Sequence, residues 1–533
     1  MIPAKYSVAS VSAISTPARR NVNARRTLFT AALLLVAATA PAQNMQMESA
    51  GVPVAPADPA IAQAIAKISP DRVRADIEML VGFKNRSTLS SMDTNLPGGS
   101  GINAAADWVF AEFTRISAEC GGCLEVKRDD YVEPAVKTPL SRITRDTRLQ
   151  NIYAVLKGTD PAQAARRVLV TGHYDSRNSD NFNTHDPAPG ANDDASGVAV
   201  SLESARVLSK LKFPSTIVFV AVAGEEQGLK GSRHLARLAK AEAWDLQAVL
   251  NNDIVGGDTT PGQTGQDKSA VRVFSENVPG PATLEQVRDI ENIGAESDSP
   301  SRELARAIAD VSATYLLAGM QAPPPVAPGR LHTNHIRLVN AFHPVLVFRR
   351  DRFGRGGDHT SFNAEGFAAV RFTEWQENFD HQHQTPRTEP GTLQDGSQGA
   401  VEYADLIKYV DPAYTANVAR LNAACLATFA AAPGLPVDVR IPGTSGDNNS
   451  VLTWKAPAGA PAGTTYEVLW RDTSAPNWTN VRSAGPALTL KLAVSKDNVV
   501  FGVRSVDAAG HRSPAVLPLP LPLPLSRQLP ITK

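Results

Sequence analysis

The spacing of apolar residues predicts alternating helices and strands over most of the chain. Apolar residues recur at helical spacing from Pro70, where Val73, Ile77 and Leu80 share a face, and again across residues 102–118. Further along, short apolar runs typical of buried strands alternate with helical segments. In chain order these segments are 151–156, 168–171, 196–208, 216–222, 232–239 and 248–254. This alternation predicts an α/β fold, with a mixed, mostly parallel central sheet flanked by helices.

A different pattern begins near residue 436. Short runs with every second residue apolar follow one another about every ten residues, separated by Gly, Pro, Asn and Asp, which predicts a small all-β sandwich over 436–516. Its expected core residues are Trp454, Tyr466, Trp470 and Phe501. The pattern resembles a fibronectin type III module, and we expect it to act as a spacer or to bind a polymer or a surface partner. Residues 517–533 alternate Leu and Pro and predict an extended tail.

The N-terminal residues have the features of a secretory signal peptide. Residues 19–26 carry four arginines, residues 28–40 are almost wholly apolar, and an Ala-Pro-Ala sequence at 40–42 matches a cleavage site. The apolar stretch is too short to span a bilayer. We therefore expect cleavage of residues 1–42 and export to the periplasm or the extracellular space, with no membrane span in the mature chain. A membrane anchor and a start site placed too early are the alternatives. Residues 43–68 would form a linker or an N-terminal extension.

The overall charge argues against nucleic acid as a partner. The 533 residues carry 53 basic and 53 acidic side chains. Removal of residues 1–42 would take away five basic residues and no acidic ones, leaving 48 basic against 53 acidic side chains. Such a chain lacks the basic surface that binds phosphates. Its length and its 43% hydrophobic content suffice for more than one domain.

Three cysteines are few for an exported protein. Cys120 and Cys123 lie in a CGGC sequence, which favours a disulfide that closes a short turn. Cys425 would then be a buried thiol. Pairing of Cys425 with one of the other two is the alternative.

Five side chains of the types that bind zinc lie in turns rich in Gly or Asp, most of them directly after apolar runs. They are His173 in VLVTGHYDSR, Asp193 in PGANDDASGVAV, Glu226 in VAVAGEEQGLKGS, Asp253 in AVLNNDIVGG and His359 in GRGGDHTSF. Zinc binds imidazole and carboxylate groups, and a catalytic site keeps one position open for water. Two ions about 3.5–4 Å apart need a carboxylate between them. Five ligands with one shared would give each ion three protein ligands.

Each motif alone has a simpler structural explanation. A His-x-Asp sequence at a strand end is commonly a hydrogen-bonded histidine, and the acidic pair Asp193-Asp194 would also favour a helix N-terminus. The five motifs together are hard to explain as exposed surface, because most of them are joined to strongly apolar runs. We therefore favour a metal site. Glu225 precedes the expected ligand Glu226 and is placed to act as a general base.

In this order, GHYDS, PGANDDASG, AGEEQGLKGS, NNDIVG and GGDHTSF resemble the co-catalytic zinc aminopeptidases of the bacterial leucyl aminopeptidase and aminopeptidase Y type, metallopeptidase family 28. The resemblance covers roughly residues 70–430. It implies a catalytic domain over 69–432 with the zinc exopeptidase fold and two Zn2+ ions per chain. It also implies a peptide or protein substrate and hydrolysis of N-terminal residues.

The resemblance also implies a role for each ligand. Asp193 would bridge the two ions. Each ion would have two further ligands, His173 with Asp253 on one, and Glu226 with His359 on the other. Glu225 would carry the proton from water to the leaving amine.

Three further residues have expected places near the metals. The resemblance implies that Asp175 orients His173, and that Asp194 is the partner of a cis peptide bond after Asp193. His383, in ENFDHQHQTPRT, follows a predicted strand at 368–373 and is a candidate for the substrate pocket. A polar position on the rim is the alternative for His383.

Two other enzymes share this kind of fold. A glutaminyl cyclase would use a single zinc with the same pair of glutamates, and it would not need a bridging carboxylate. A carboxypeptidase of the same fold would differ in pocket residues that the sequence does not mark. Metal content distinguishes the first alternative, and hydrolysis of free against N-blocked substrates distinguishes the second.

Overall fold

The computed structural model describes residues 51–280, 282–316, 342–442 and 448–521. The expected signal peptide at 1–42, the start of the segment at 43–68 and most of the tail at 517–533 lie outside these ranges. Predictions about those segments therefore stay predictions. All the described residues fall in one compact unit of the chain, Glu48–Lys533.

A sheet of eight strands, counted over the described ranges, forms the centre of this unit. Its strands are β1 (Leu124–Glu133), β2 (Thr147–Leu156), β3 (Arg166–His173), β4 (Thr216–Val222), β5 (Asp245–Asn252), β6 (Ala270–Ser275), β7 (His343–Val347) and β8 (Ala369–Glu374). They lie in the order β1-β2-β4-β3-β5-β8-β6-β7. The pairs β4/β3, β3/β5, β5/β8 and β6/β7 are parallel, and the other pairs are antiparallel. The predicted mixed, mostly parallel sheet is confirmed.

Helices cover both faces of the sheet. They are α1 (Pro59–Ile65), α2 (Pro70–Gly82), α3 (Gly101–Glu119), α4 (Ser196–Leu208), α5 (Lys230–Ala241), α6 (Leu284–Asn292), α7 (Pro300–Tyr315), α8 (His359–Ala364) and α9 (Pro412–Ala431). Along β3, Val168 and Val170 belong to a core with α2, α3, α4 and α9, whereas Leu169 belongs to a core with α5 and α8. Side chains of a strand alternate between faces, so one apolar run serves both cores. Within the described ranges, no helix is long and apolar enough to cross a membrane.

The sheet order brings the ends of three strands together at one edge. β4, β3 and β5 are parallel neighbours, and their carboxyl ends are followed by the predicted polar motifs. His173 is the last residue of β3, Asp253 follows β5, and the glutamate pair follows β4 after two residues. In open α/β sheets this edge is where ligands bind.

The C-terminal part of the chain forms two small packed sheets. Their strands are β11 (Val437–Ile441), β12 (Ser450–Lys455), β13 (Thr465–Asp472), β14 (Asn480–Gly485), β15 (Thr489–Leu492), β16 (Val499–Val506) and β17 (Leu519–Pro520). Among the residues described here, the sheet orders are β15-β12-β11-β17 and β14-β13-β16. The four predicted aromatic core residues are all buried between them. The likeness to a fibronectin type III module, its boundaries and its binding role stay predictions.

The sandwich is packed against α7. Arg471 of β13 pairs with Asp298, which lies two residues before the start of α7, and both side chains are almost wholly buried. The indole Nε1 of Trp478 donates to Glu303 Oε2 at 3.1 Å. Arg504 Nη1 lies 2.7 Å from Asp310 Oδ2. These contacts join the sandwich to the sheet unit through buried side chains as well as through the chain itself.

The cysteines follow the favoured interpretation. Cys120 and Cys123 form a disulfide just after α3, and Cys425 in α9 is a buried free thiol. α1 lies inside the 43–68 segment and buries Ile61 and Ile65, so this part of the segment is a packed extension.

Candidate metal centre

The first group of potential ligands consists of His173, Asp193 and Asp253. All three side chains are buried. Nε2 of His173 lies 3.1 Å from Asp193 Oδ1 and 3.9 Å from Asp253 Oδ1. The group therefore joins the ends of β3 and β5 to the turn that precedes α4.

The second group consists of Asp193, Glu226 and His383. Nε2 of His383 lies 2.9 Å from Asp193 Oδ2 and 3.0 Å from Glu226 Oε1. Asp193 belongs to both groups and turns one carboxylate oxygen toward each histidine. This is the arrangement that a bridging carboxylate between two cations needs.

Two buried atoms of these groups support a metal. Nε2 of His173 and Oε1 of Glu226 make no hydrogen bond to any described residue. Each nevertheless lies about 3 Å from another potential metal ligand, Nε2 of His173 from Asp193 Oδ1 and Oε1 of Glu226 from His383 Nε2. Buried polar atoms are normally satisfied, so atoms that converge without hydrogen-bond geometry indicate a shared partner between them. Imidazole and carboxylate are the ligand types of catalytic zinc. The residues present therefore fit zinc.

The electrostatics of the shared residue agree with that interpretation. Burial opposes ionisation of Asp193, but His383 and His173 outweigh it and hold the pKa of this carboxyl well below its usual range. Asp193 is therefore an anion that needs positive charge around it. Bound cations would supply that charge in the buried site.

His359 is not part of either group, which corrects its assignment as a ligand. It is the first residue of α8 and is fully buried. Its Nε2 lies 2.8 Å from the carbonyl oxygen of Arg350 and 3.7 Å from Asp351 Oδ2. Burial lowers the pKa of His359 to about 4, so the ring is neutral. α8 packs against α5 in the core that contains Leu169. We therefore infer that the His359 side chain contributes to the packing of α8 and not to the metal site.

His383 takes the position expected of His359. It follows β8 and precedes an exposed hairpin formed by β9 (Arg387–Thr392) and β10 (Gln398–Tyr403). Its φ of 57° lies in the left-handed region, which is uncommon for a residue other than glycine and typical of functional sites. The sequence had suggested His383 only as a candidate for the substrate pocket.

Glu225 lies beside the two groups but belongs to neither. It lines the open cleft above them together with Asp193, Glu226 and His383. Burial raises the pKa of Glu225 well above its usual range. A carboxyl group whose pKa is raised holds a proton more readily, which suits a group that must accept one.

Asp175 has the contacts expected of a residue that orients ligands. Its Oδ1 lies 3.4 Å from Nδ1 of His173, and its carbonyl oxygen lies 3.1 Å from the same nitrogen. Its carboxylate also accepts the backbone N–H groups of Glu225 at 3.3 Å and Glu226 at 3.2 Å. Asp175 therefore fixes the imidazole and the glutamate turn together.

Asp194 ties the strand ends to α4. The peptide bond between Asp193 and Asp194 is cis, as the resemblance implied. The Asp194 carboxylate accepts N–H groups from His173 at 3.0 Å, Gly197 at 2.9 Å and Ile254 at 3.2 Å. A Cβ on Gly197 would lie 2.5 Å from Asp194 Oδ2, so only glycine lets α4 start this close to the site.

Two further residues, Asp405 and Arg371, help to position the potential ligands, and neither was predicted from the sequence to do so. The Asp405 carboxylate accepts the N–H of Asn192 and, at 2.8 Å, that of Asp193. Arg371 is fully buried, and its Nη2 lies 3.0 Å from Asp253 Oδ1. An arginine inside the apolar strand β8 was the available clue to Arg371. Asp405 lies in a loop, and no motif in the sequence around it indicates a role at the site.

The chain is similar to several known proteins. The model of peptidase family M28 matches residues 151–307. A probable zinc metalloprotease of Leptosphaeria maculans is 40% identical over 455 residues, which are 85% of this chain and 95% of that protein. A probable zinc metalloprotease of Pyricularia oryzae is 40% identical over 464 residues, 85% of this chain and 83% of that protein. The crystal structure of the LapA aminopeptidase of Legionella pneumophila has 18% identity and a TM-score of 0.43 over 70% of this chain and 74% of that one.

The region that the family model matches contains His173, Asp193, Glu226 and Asp253, and the similarity extends over 95% and 83% of the two zinc metalloproteases. The chain belongs to peptidase family M28.

Proposed function

We propose that this chain is an exported aminopeptidase that hydrolyses peptides with two zinc ions. The observation that carries the proposal is the sharing of Asp193 by two groups of buried donors. His173, Asp193 and Asp253 would hold one ion, and Asp193, Glu226 and His383 would hold the other. When bound, the ions would polarise the scissile carbonyl and lower the pKa of a water.

Glu225 would move the proton in this reaction. It lies beside both groups and is not needed as a ligand, so its carboxylate is free to accept a proton from the attacking water. The same carboxyl group can then give that proton to the leaving amine. Asp175 supports this role, because it holds the backbone of Glu225 and the ring of His173 in one arrangement.

The cleft above the donors is large enough for part of a peptide. It has a volume of ≈ 630 Å³ and opens to solvent. Pockets for small ligands are typically about 300–1,000 Å³. Gly228 and Leu229, after the glutamate pair, and Gly354 and Gly356, before α8, form parts of its walls.

The choice of the N-terminal end rests on the resemblance of the five motifs to aminopeptidases. A carboxypeptidase is the second candidate, because Arg352 and Arg355 line the cleft and could bind a terminal carboxylate. A cyclase with a single zinc is disfavoured, since it would leave the second group of donors without a function.

Hydrolysis of free and N-blocked aminoacyl substrates by the zinc-loaded full chain tests the proposal. We expect cleavage of the free form only, and loss of that cleavage in the presence of a chelator. The Glu225→Gln variant, which keeps every proposed ligand, is the matched control for contaminating peptidases and should be inactive. Cleavage of only the blocked form would favour a carboxypeptidase, and cleavage that survives the chelator would overturn the proposal.

Export is part of the same proposal. The disulfide between Cys120 and Cys123 supports it, because such bonds persist mainly in oxidising compartments. Mass spectrometry of the protein recovered outside the cytoplasm should give an N-terminus at Gln43. A full-length chain retained in the cytoplasm would contradict the proposal.

A further inference from the structure

We propose that the cleft selects substrates that carry a carboxylate close to the scissile bond. This inference rests on the proposed peptidase function and adds the chemical class of its substrate. It is carried by the guanidinium groups of the cleft walls, which outnumber the carboxylates available to them. The five arginines that line the cleft are Arg142, Arg177, Arg233, Arg352 and Arg355.

Two of these arginines lack an acidic partner among the described residues. Within the described part of the chain, neither Arg142 nor Arg233 has a carboxylate oxygen within 4 Å. Arg142 comes from the loop between β1 and β2, and its Nη1 donates to the carbonyl oxygen of Glu226 at 2.8 Å. This hydrogen bond holds the guanidinium charge of Arg142 next to the two groups of potential metal ligands. Arg233 lies in the first turn of α5 on the same cleft.

Two more arginines share one carboxylate on the opposite segment. Nη1 of Arg352 and Nη1 of Arg355 each lie 2.8 Å from the same Oε2 of Glu377. Glu377 also faces Arg272 at 3.0 Å, so one carboxylate serves three guanidinium groups. Asp351 lies 2.9 Å from Arg352 and offsets part of this charge. Arg355 keeps 32% of its side chain exposed, so part of its guanidinium group is accessible to a ligand.

The acidic floor of the cleft does not cancel these walls. Asp193, Glu226 and Asp253 are the proposed metal ligands, and bound cations would offset their charge. Of the acidic residues that line the cleft, this leaves Glu225 against the five arginines. Arg177 lies 2.8 Å from Glu226, so its partner is one of these ligands. The walls are then left with net positive charge. A cleft lined by one sign of charge raises the local concentration of ligands with the opposite sign.

A substrate can offer the matching carboxylate in two ways. An acidic side chain next to the scissile bond carries one, and so does the C-terminus of a short peptide. Arginine suits both, because its planar group can donate two parallel hydrogen bonds to a carboxylate. Basic side chains at the same position would be repelled.

Three peptides of equal length with the same scissile bond separate these sources. The first has Gln at the position after the bond and a C-terminal amide. The second replaces that Gln by Glu, and the third keeps Gln and has a free C-terminal carboxylate. The full, zinc-loaded chain should hydrolyse the second or the third with a kcat/KM about fivefold or more above the first, and the preference should shrink as salt is added. Preference for the second identifies an acidic side chain, and preference for the third identifies the C-terminus.

Variants then assign the preference to the cleft. Arg233→Gln and Arg355→Gln should each reduce the ratio between the preferred and the neutral peptide about 1.5-fold to fivefold, the range expected for one exposed charge pair. Arg233→Lys should keep most of the ratio. Arg237→Gln is the matched control, because Arg237 lies on the same helix, is 75% exposed and does not line the cleft.

Equal kcat/KM values for the three peptides would overturn the carboxylate preference and leave the peptidase function standing. A preference that persists unchanged in both cleft variants would overturn its assignment to these arginines. If the zinc-loaded chain hydrolyses none of the peptides, the proposed function fails as well.

Discussion

Exchange of His383 and of His359 for glutamine gives opposite results if the two donor groups hold metal. In His383→Gln, the second group loses its only imidazole and keeps Asp193 and Glu226, fewer than the three protein ligands of a catalytic zinc. Loss of residues that merely orient ligands weakens metal binding about 10–100-fold. Loss of a direct ligand should therefore weaken binding of the second ion about 100-fold or more, which is about 2.8 kcal/mol at about 1.4 kcal/mol per tenfold.

His359→Gln should leave metal binding unchanged and destabilise the fold. The buried ring lies 2.8 Å from the carbonyl oxygen of Arg350, and an unsatisfied buried group costs about 1–3 kcal/mol. The amide of glutamine can recover part of that bond, so we expect the lower end of the range.

Elemental analysis after dialysis measures the number of bound ions, and competition with a chromophoric chelator measures the affinity for zinc. Urea unfolding of the same samples measures the free energy of unfolding. The expected pattern is one ion lost with little loss of stability in His383→Gln, and full metal content with reduced stability in His359→Gln. The reverse pattern, in which His359→Gln loses zinc and His383→Gln keeps it, would refute the assignment of ligands.

Four further predictions follow from the same contacts. Glu225→Gln should lower kcat about 10²–10⁴-fold in initial-rate measurements and keep its zinc, and loss of zinc in this variant would contradict a role as free base. Arg371→Met should leave the Asp253 carboxylate without its partner at 3.0 Å and weaken zinc binding about 10–100-fold in chelator competition, whereas unchanged affinity would argue that Arg371 only fills space. Trp478→Ala should lower the free energy of unfolding in urea by about 3–5 kcal/mol, because it removes a buried indole and its bond to Glu303, and a loss below about 1 kcal/mol would show that the interface with the sandwich is weak. Removal of metal by a chelator should abolish hydrolysis and added zinc should restore it, and a failure of zinc to restore activity would point to another metal.

The central fold could be predicted because its strands are continuous apolar runs. The residues 168–171 and 216–222 face cores on both sides of the sheet, and this gives short continuous apolar runs instead of the alternation of a strand with one exposed face. The alternation of apolar residues in the C-terminal region predicted the aromatic core of the sandwich, where Tyr466, Val468 and Trp470 of β13 are buried in one cluster. His173 and Asp253, polar residues at the ends of such strands, lie close together at one edge of the sheet.

The error at His359 has a physical cause. Both histidines follow glycine-rich or polar loops, and the sequence alone does not tell which loop returns to the carboxyl edge of the sheet. His359 starts a helix that packs against α5, whereas His383 lies in the irregular segment after β8, the strand next to β5. Which of the two histidines reaches the metal site depends on the order of the strands in the sheet. That order is set by contacts between residues far apart in the sequence.

Residues that act through another group could not be found from local patterns. Asp405 reaches the backbone of Asp193 across more than two hundred positions of the chain. The pairing of Arg471 with Asp298 joins two regions that appeared in the sequence as separate domains. The buried charges of Asp405, Arg471 and Asp298 are stabilised by partners that lie far away in the sequence, and patterns of residue spacing do not identify such partners.

The most direct test of the account is a crystal structure of the zinc-loaded chain with anomalous data collected on both sides of the zinc edge. The account predicts two anomalous peaks about 3.5–4 Å apart, one on each side of the Asp193 carboxylate, with His173 and His383 on opposite ions. A single peak, or a peak coordinated by His359, would contradict it.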